Sequence, residues 1–379
     1  MALIHDFLLD LRGAERVFLA LCEIYPSAPI YTPVYDEDGT EGRFAHREIR
    51  TSFLQKLRPT ERTFRALLPF YPSAVESFDL SGFDLVISSS SAWAHAVIDD
   101  EPAVHVSYCH NPFRYVWNDR DATLAQRDPL TRAALRMLFR RWRQWDWIAA
   151  QRVNRYVTNS RTTQARIRAY FGRESAVVHP PVDTRRFSRG TPGDAYLVLS
   201  ELMPHKRIDL AVHAFNQLKR PLLIVGDGPD MRRLRKLAGP TVTFAGRVAD
   251  DEAARLLQTS RALVVTAVEE FGIAAVEAQA AGRPAIAPSR GGALETVRDG
   301  VTGRLWDGGV AELVEAIDGF DVDAVDPAAC VANARRFDTK VFSTAFPREV
   351  ERALEEHEDR GAGHRPAPRA RFAWSPSRR

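Results

Sequence analysis

The stretch "AYLVLSELMPHKRIDLAVHAFNQLKRPLLIVGDG", Ala195 to Gly228, decides the fold. It opens on a short apolar run, passes through the amphipathic segment "RIDLAVHAFNQL", and closes on a second apolar run, "PLLIVGDG". Short continuous apolar runs suit strands buried on both faces, and a helical period between two of them suits a crossover. Strands joined by a helical crossover lie parallel, so this one unit already implies a parallel sheet covered by helices.

The same alternation extends in both directions. Downstream, "DMRRLRKLAG" and "TVTFAGRV" lead to "ADDEAARLLQTS", then to "RALVVTAV", with "PAIAPS" and "GRLWD" as two more short strands. Upstream, "ALIHDF" is followed by the helical "AERVFLALCEIY", "FDLVISSS" by "SAWAHAV", and "AVHVSYCH" by "NPFRYVW"; "RYVTNS" and "AVVHPP" add strands. The Pro-, Gly- and Arg-rich "PPVDTRRFSRGTPGD" separates the two series and reads as a linker. The expected architecture is α/β: two Rossmann-like, doubly wound domains facing each other across a cleft, over residues 1–186 and 187–340. A C-terminal helix over 341–359 is expected to pack back on the first domain, followed by a disordered basic tail over 360–379. Sheets of this kind hold ligands beyond the carboxyl ends of their strands.

Composition narrows the classes. The 379 residues are 45% hydrophobic and 27% charged, a globular profile, and the formal net charge of +3 is too small to call for nucleic acid. Cys22, Cys109 and Cys330 are an odd number, widely spaced and in apolar settings, which reads as reduced core thiols. With no run near the roughly 20 apolar residues of a membrane span, and no leader pattern in "MALIHDF", a cytoplasmic location is expected.

Within the second half, "EEFGIAAVEAQAAGRP", Glu269 to Pro284, reads as a short helix opened by Gly272 and stopped by Gly282 and Pro284. Its first turn exposes backbone N–H groups at the positive end of the helix dipole, a seat for phosphate. Glu277 lies among alanines, where an ionised carboxylate needs hydrogen-bond donors to be tolerated. A vicinal diol can donate twice to a group that only accepts. Glu269, ahead of the helix, reaches toward the same phosphate. Phosphate at a helix start, flanked by two hydroxyl-accepting carboxylates, fits a nucleotide sugar. The competing reading has Glu277 facing solvent and Glu269-Glu270 merely favouring the dipole. Lys206 and Arg207 open a helix, where cations oppose the dipole; they bind a diphosphate there, or are ordinary surface charges. "GDGPDM" is as well explained by a turn as by a phosphate loop, Gly291-Gly292 could admit a ligand close to the backbone, and "DVD" at Asp321 to Asp323 reads as incidental. No catalytic metal or other cofactor is expected.

Together these residues resemble a retaining glycosyltransferase of the GT-B fold, family 4 type. The resemblance rests on the E-x7-E spacing of Glu269 and Glu277, and runs from "HDFLLDLRGAERV" through "YCHNPFRYVW", "VVHPPVDTRRF" and "SELMPHKRIDLAVHAF" to "GGALETVRDGVTGRL". It implies ribose hydroxyls on Glu277, donor-sugar hydroxyls on Glu269, the pyrophosphate on Lys206 and the distal phosphate on the backbone of Gly272 and Ile273. The stretch Gly246, Arg247 and Val248 matches the region lining the base. Gly13 closes over the donor, and His110 lies near the transferred sugar. Two positions depart from the family pattern: Glu201 stands where an arginine helps hold the pyrophosphate, and Arg12 replaces the first glycine of a pair. Lys206, with Arg207, then has to carry more of the diphosphate.

The implied chemistry is transfer of a hexose from a nucleotide diphosphate with retention, through positioning and charge stabilisation rather than a protein nucleophile. The mannosyltransferase-like motifs make GDP-mannose the expected donor and a saccharide, lipid-linked or free, the expected acceptor; a UDP-sugar is the alternative. Between Arg132 and Arg155, arginines alternate with Trp142, Trp145 and Trp147. Either this is a basic aromatic surface for anionic headgroups, which would place the protein at the inner face of the plasma membrane, or the tryptophans pack inward. Two rivals stand beside the enzyme reading. A dehydrogenase would need GxGxxG after the first strand, which "HDFLLDLRGAER" does not supply. A non-catalytic nucleotide-sugar binder would also satisfy the site.

Overall fold

The computed structural model describes residues 1–61, 63–99, 103–125 and 127–363. Two all-parallel sheets carry the chain. The first contains β1 (Ala2–His5), β2 (Ile30–Thr32), β3 (Ile49–Thr51), β4 (Leu85–Ser90), β5 (Val104–Cys109), β6 (Arg155–Thr158) and β7 (Ser175–Val177), in the order β3-β2-β1-β4-β5-β6-β7. The second contains β8 (Tyr196–Leu199), β9 (Leu222–Val225), β10 (Val242–Gly246), β11 (Leu263–Val264), β12 (Ala285–Pro288) and β13 (Gly303–Trp306), in the order β10-β9-β8-β11-β12-β13. Strand order reverses between β1 and β4 in one and between β8 and β11 in the other. Those reversals leave crevices at the carboxyl ends, where ligands of doubly wound sheets lie.

The central strands of each sheet are buried on both faces, which is why they read as apolar runs. Val86 of β4 joins one core with Trp93, Phe113 and Trp142. Leu85 and Ile87 join the opposite core with Val17, Phe18 and Leu21 of the helix Gly13–Ile24. Into that second core the helix Thr339–Gly363 places Phe342, Phe346, Val350 and Ala353, so the last described helix covers the first sheet. The basic tail expected beyond it falls, from residue 364, outside the described residues.

The linker is pinned rather than loose. Val182 forms an isolated parallel bridge with Asp338, with Val182 N–H donating to Phe337 O at 2.9 Å and Thr339 N–H to Val182 O at 3.1 Å. The two crossings of the chain between the halves therefore run side by side.

Two expected crossover segments are corrected, two strands are added, and one open alternative is decided. β2 and β3, only three residues each, escape a reading by apolar runs. "NPFRYVW" is a turn, and "SAWAHAV" contributes only the 3-10 turn Ala94–Ala96. In the helix Pro129–Arg152, Trp142 is buried and Trp145 Nε1 donates to Glu76 Oε1 at 2.8 Å, so two of the three tryptophans face inward. Trp147 remains exposed, with Leu130, Met137 and Ile148 and the arginines 136, 140 and 141. No helix among the described residues is long and apolar enough to cross a membrane.

Candidate functional site

The carboxyl ends of β8 and β11 bring together several of the candidate residues. After β8 the chain makes the 3-10 turn Pro204–Lys206; after β11 it runs through Glu269 to the helix Ile273–Ala280. These two paths meet where Lys206 Nζ lies 2.6 Å from Glu269 Oε1. Thr266 Oγ1 also donates to Lys206 O at 2.7 Å, fixing one loop on the other. Gly272 caps the helix with φ of 89°, a left-handed conformation that glycine adopts without strain. Its neighbours Gly291 and Gly292 serve packing: a Cβ on Gly292 would lie 2.2 Å from Phe271 Cα, so the pair lets two backbones touch.

Glu277 lies one turn into that helix, half-buried, and its carboxyl has no hydrogen-bond partner among the described residues. Burial pushes its carboxyl above the ordinary value, and the nearby Arg16 and Arg186 offset this only in part, while Asp250 adds to it. Both arginines are themselves paired with Asp250, at 2.7 and 3.5 Å. An unpartnered carboxylate in a half-buried site is a group prepared to accept from a ligand.

From the first domain, Gly13 begins its helix against Ile273; a Cβ on Gly13 would stand 3.4 Å from Ile273 Cδ1. His110 follows β5, buried, with Nε2 2.8 Å from Ser89 Oγ. Arg247 reaches across the cleft to Asp10 Oδ1 at 3.2 Å, while Val248 packs in the apolar cluster beneath the helix Ile273–Ala280. Arg207 is the exception: its side chain is 55% exposed and pairs with Asp209 at 3.4 Å, so it does not join Lys206.

The two departures from the family pattern meet each other. Arg12 Nη1 lies 3.2 Å from Glu201 Oε1, and the same guanidinium contacts Asp10 at 3.1 Å and Glu61. An acid in place of one arginine is thus neutralised by an arginine in place of a glycine.

Other groups of the cleft carried no sequence signal of their own. Glu270, next to Glu269, accepts from Arg114 at 3.0 Å and Arg166 at 2.9 Å, both from the first domain. Burial pushes its carboxyl up, but the two guanidinium groups outweigh burial and hold it below the ordinary range. Glu295 similarly meets His179 Nε2 at 3.0 Å and the Arg161 backbone N–H at 2.9 Å. Sequence spacing cannot find such pairs, because each partner is more than a hundred residues away.

Residues 11–186 match the family model "Glycosyltransferase Family 4" and residues 183–337 the model "Glycosyl transferases group 1". The two matches run end to end, and the chain belongs to this group 1, family 4 class of glycosyltransferases. Its fold is GT-B. It superposes on HepE from Anabaena, solved with UDP and glucose, with TM-score 0.71 at 19% identity, over 92% of this chain and 99% of that one. The sucrose-phosphate synthase of Thermosynechococcus elongatus gives TM-score 0.71 at 18% identity, over 94% and 100%. In sequence, the GDP-mannose-dependent alpha-(1-6)-phosphatidylinositol monomannoside mannosyltransferase of Mycolicibacterium smegmatis is 32% identical over 212 residues, 47% of this chain and 53% of that protein. The match thus spans about half the length of that relative.

Proposed function

We propose that this glycosyltransferase moves a hexose, with retention at the anomeric carbon, from GDP-mannose to a lipid-linked saccharide. The observation that carries the reading is the Lys206–Glu269 pair at 2.6 Å beside the start of the helix that bears the unpartnered Glu277. In this reading Lys206 and the helix start neutralise the departing diphosphate, Glu277 takes the ribose diol, and Glu269 takes the sugar hydroxyls. Arg12 approaches the nucleotide from the opposite wall, and Arg247 from the second domain, where it reaches across to Asp10. The choice of GDP-mannose is supported by the mycobacterial relative, whose name gives that donor and a phosphatidylinositol monomannoside acceptor. The exposed apolar and basic face of the helix Pro129–Arg152 supports a lipid acceptor reached at an anionic membrane surface.

A thermal-shift panel of nucleotide sugars tests the donor. GDP-mannose should raise Tm more than UDP-glucose, UDP-N-acetylglucosamine or GDP alone; the reverse ranking would make this a UDP-sugar enzyme. Lys206→Ala should lower turnover at saturating donor by roughly 100-fold with Tm little changed, the scale of losing one preorganised charge at the leaving group. Near-wild-type turnover would remove Lys206 from the chemistry.

A further inference from the structure

A line of four buried side chains ends on His110. On the face of the first sheet covered by the helix Gly13–Ile24, Glu15 Oε1 lies 3.7 Å from His5 Nε2. His5 Nδ1 lies 3.1 Å from Ser89 Oγ, and Ser89 Oγ lies 2.8 Å from His110 Nε2. Each part is held from outside the line. Glu15 Oε2 accepts the Arg12 backbone N–H at 3.0 Å, and the His5 ring stacks on Phe18 with centroids 4.6 Å apart.

Proton counting gives this line a direction. Two hydrogen bonds join His5 Nδ1, Ser89 Oγ and His110 Nε2, and they need two protons. Ser89 supplies one, so one imidazole must supply the other. With a neutral His5, Ser89 donating to His110 puts the His5 proton on Nδ1, and its bare Nε2 then faces the Glu15 carboxylate. If Ser89 donates to His5, the His5 proton sits on Nε2, toward the carboxylate, and His110 donates through Nε2. At 3.7 Å Glu15 is too far for a hydrogen bond but close enough for its charge to favour the N–H. Burial, with a smaller contribution from His5, pushes His110 down to about 3, so its ring is neutral near pH 7 and its tautomer is the open variable.

We propose that Glu15, acting through His5 and Ser89, locks His110 as the Nε2–H tautomer, so that Nδ1 is presented as an acceptor for a hydroxyl of the transferred sugar. His110 Nδ1 has no hydrogen-bond partner among the described residues. Glu15, His5 and Ser89 are positioning residues; the sugar contact alone rests on the glycosyltransferase reading above. The device selects a donor sugar whose hydroxyl gives a proton at this point, and disfavours a fluoro or deoxy replacement there.

The test is long-range 1H–15N correlation on the full chain with 15N-labelled histidine, His110 being assigned from the resonance lost in His110→Gln. The free wild-type protein should show His110 protonated at Nε2 and bare at Nδ1. Glu15→Gln should move the population toward Nδ1–H, because the amide oxygen can still accept from Arg12 while its NH2 faces His5 and reverses the polarity of the line. The same variant should raise donor KM roughly tenfold with a smaller change in kcat, the scale of one hydrogen bond turned against its partner. A wild-type His110 protonated at Nδ1, or a tautomer unmoved in folded Glu15→Gln, overturns the proposal, and the first measurement needs no variant to fold. The tautomer is read without donor. An Nε2–H signal together with no nucleotide-sugar binding would therefore sink the transferase reading and the sugar contact, and leave the relay standing.

Discussion

Glu277 is half-buried in the cleft, and its carboxyl has no hydrogen-bond partner among the described residues. Burial raises its carboxyl above the ordinary 4.5, so the empty folded protein holds the proton more tightly than the unfolded chain does. The sign follows. The charged form opposes folding, and stability is lost as pH rises from the unfolded value through the raised one. A diol that donates to the charged form reverses this, so donor affinity should fall as pH is lowered through the raised value. Glu277→Gln should make the empty protein slightly more stable at pH 7, weaken donor binding by roughly tenfold or more, and flatten its pH dependence. Calorimetric titration with donor between pH 5 and pH 8 reads all but the first, and a thermal scan reads that. An unchanged affinity would return Glu277 to an ordinary half-buried acid. The position of this residue was legible in the sequence, as a carboxylate among alanines. The pairing of Arg12 with Glu201 was not, since each departure looked like a separate loss until the fold set them 3.2 Å apart.

Among the elements, the helix Pro129–Arg152 divides its aromatic residues by face. Trp142 packs with Trp93 and Phe113, ring centroids 5.5 and 5.7 Å apart, and Trp145 is 5.6 Å from Trp93. That anchoring leaves Leu130, Met137, Trp147 and Ile148 beside exposed arginines on the outer face. Apolar residues beside cations suit an anionic lipid surface. The protein should float with vesicles containing phosphatidylglycerol at low salt, bind neutral vesicles less, and be released by added salt. Trp147→Glu combined with Met137→Glu should abolish flotation while leaving the donor-induced rise in Tm intact. Failure of the wild type to float would leave this face simply solvated. The sequence showed the arginine and tryptophan alternation but not its sidedness. Only the neighbouring Trp93 loop and Glu76 decide which rings turn in.

At the scale of the whole molecule, the two domains are drawn together by charge. Arg16 with Asp250, Arg247 with Asp10, Arg12 with Glu201, and Arg114 and Arg166 with Glu270 all cross the cleft. Of these, Glu270 receives two guanidinium groups in a largely buried place, where removing one partner leaves uncompensated charge. Its carboxyl is depressed where the two guanidinium groups meet it, so its contribution to holding the halves together is complete above the ordinary value near 4.5 and is lost as pH falls through the depressed one. Glu270→Gln should cost closure about 2 kcal/mol, by the cost of truncating one partner of a buried pair. Small-angle scattering should then show a larger radius of gyration at pH 7, approached by the wild type only in acid. Equal radii at pH 7 would mean that packing around the side-by-side crossings at Val182 and Asp338 holds the cleft by itself.

By itself the sequence determined the two-sheet α/β architecture, the linker between the halves and the spacing of Glu269 and Glu277. These are properties of local period, of turn residues, and of a carboxylate set among alanines. Tertiary structure alone decided that Lys206 closes on Glu269, that Arg207 turns away to Asp209, and that Arg12 answers Glu201. It also aligned Glu15, His5, Ser89 and His110 into one line. The physical reason is distance along the chain. Hydrophobic period is written within a dozen residues, whereas a charge or a proton finds its partner only where separate strands end at the same crevice.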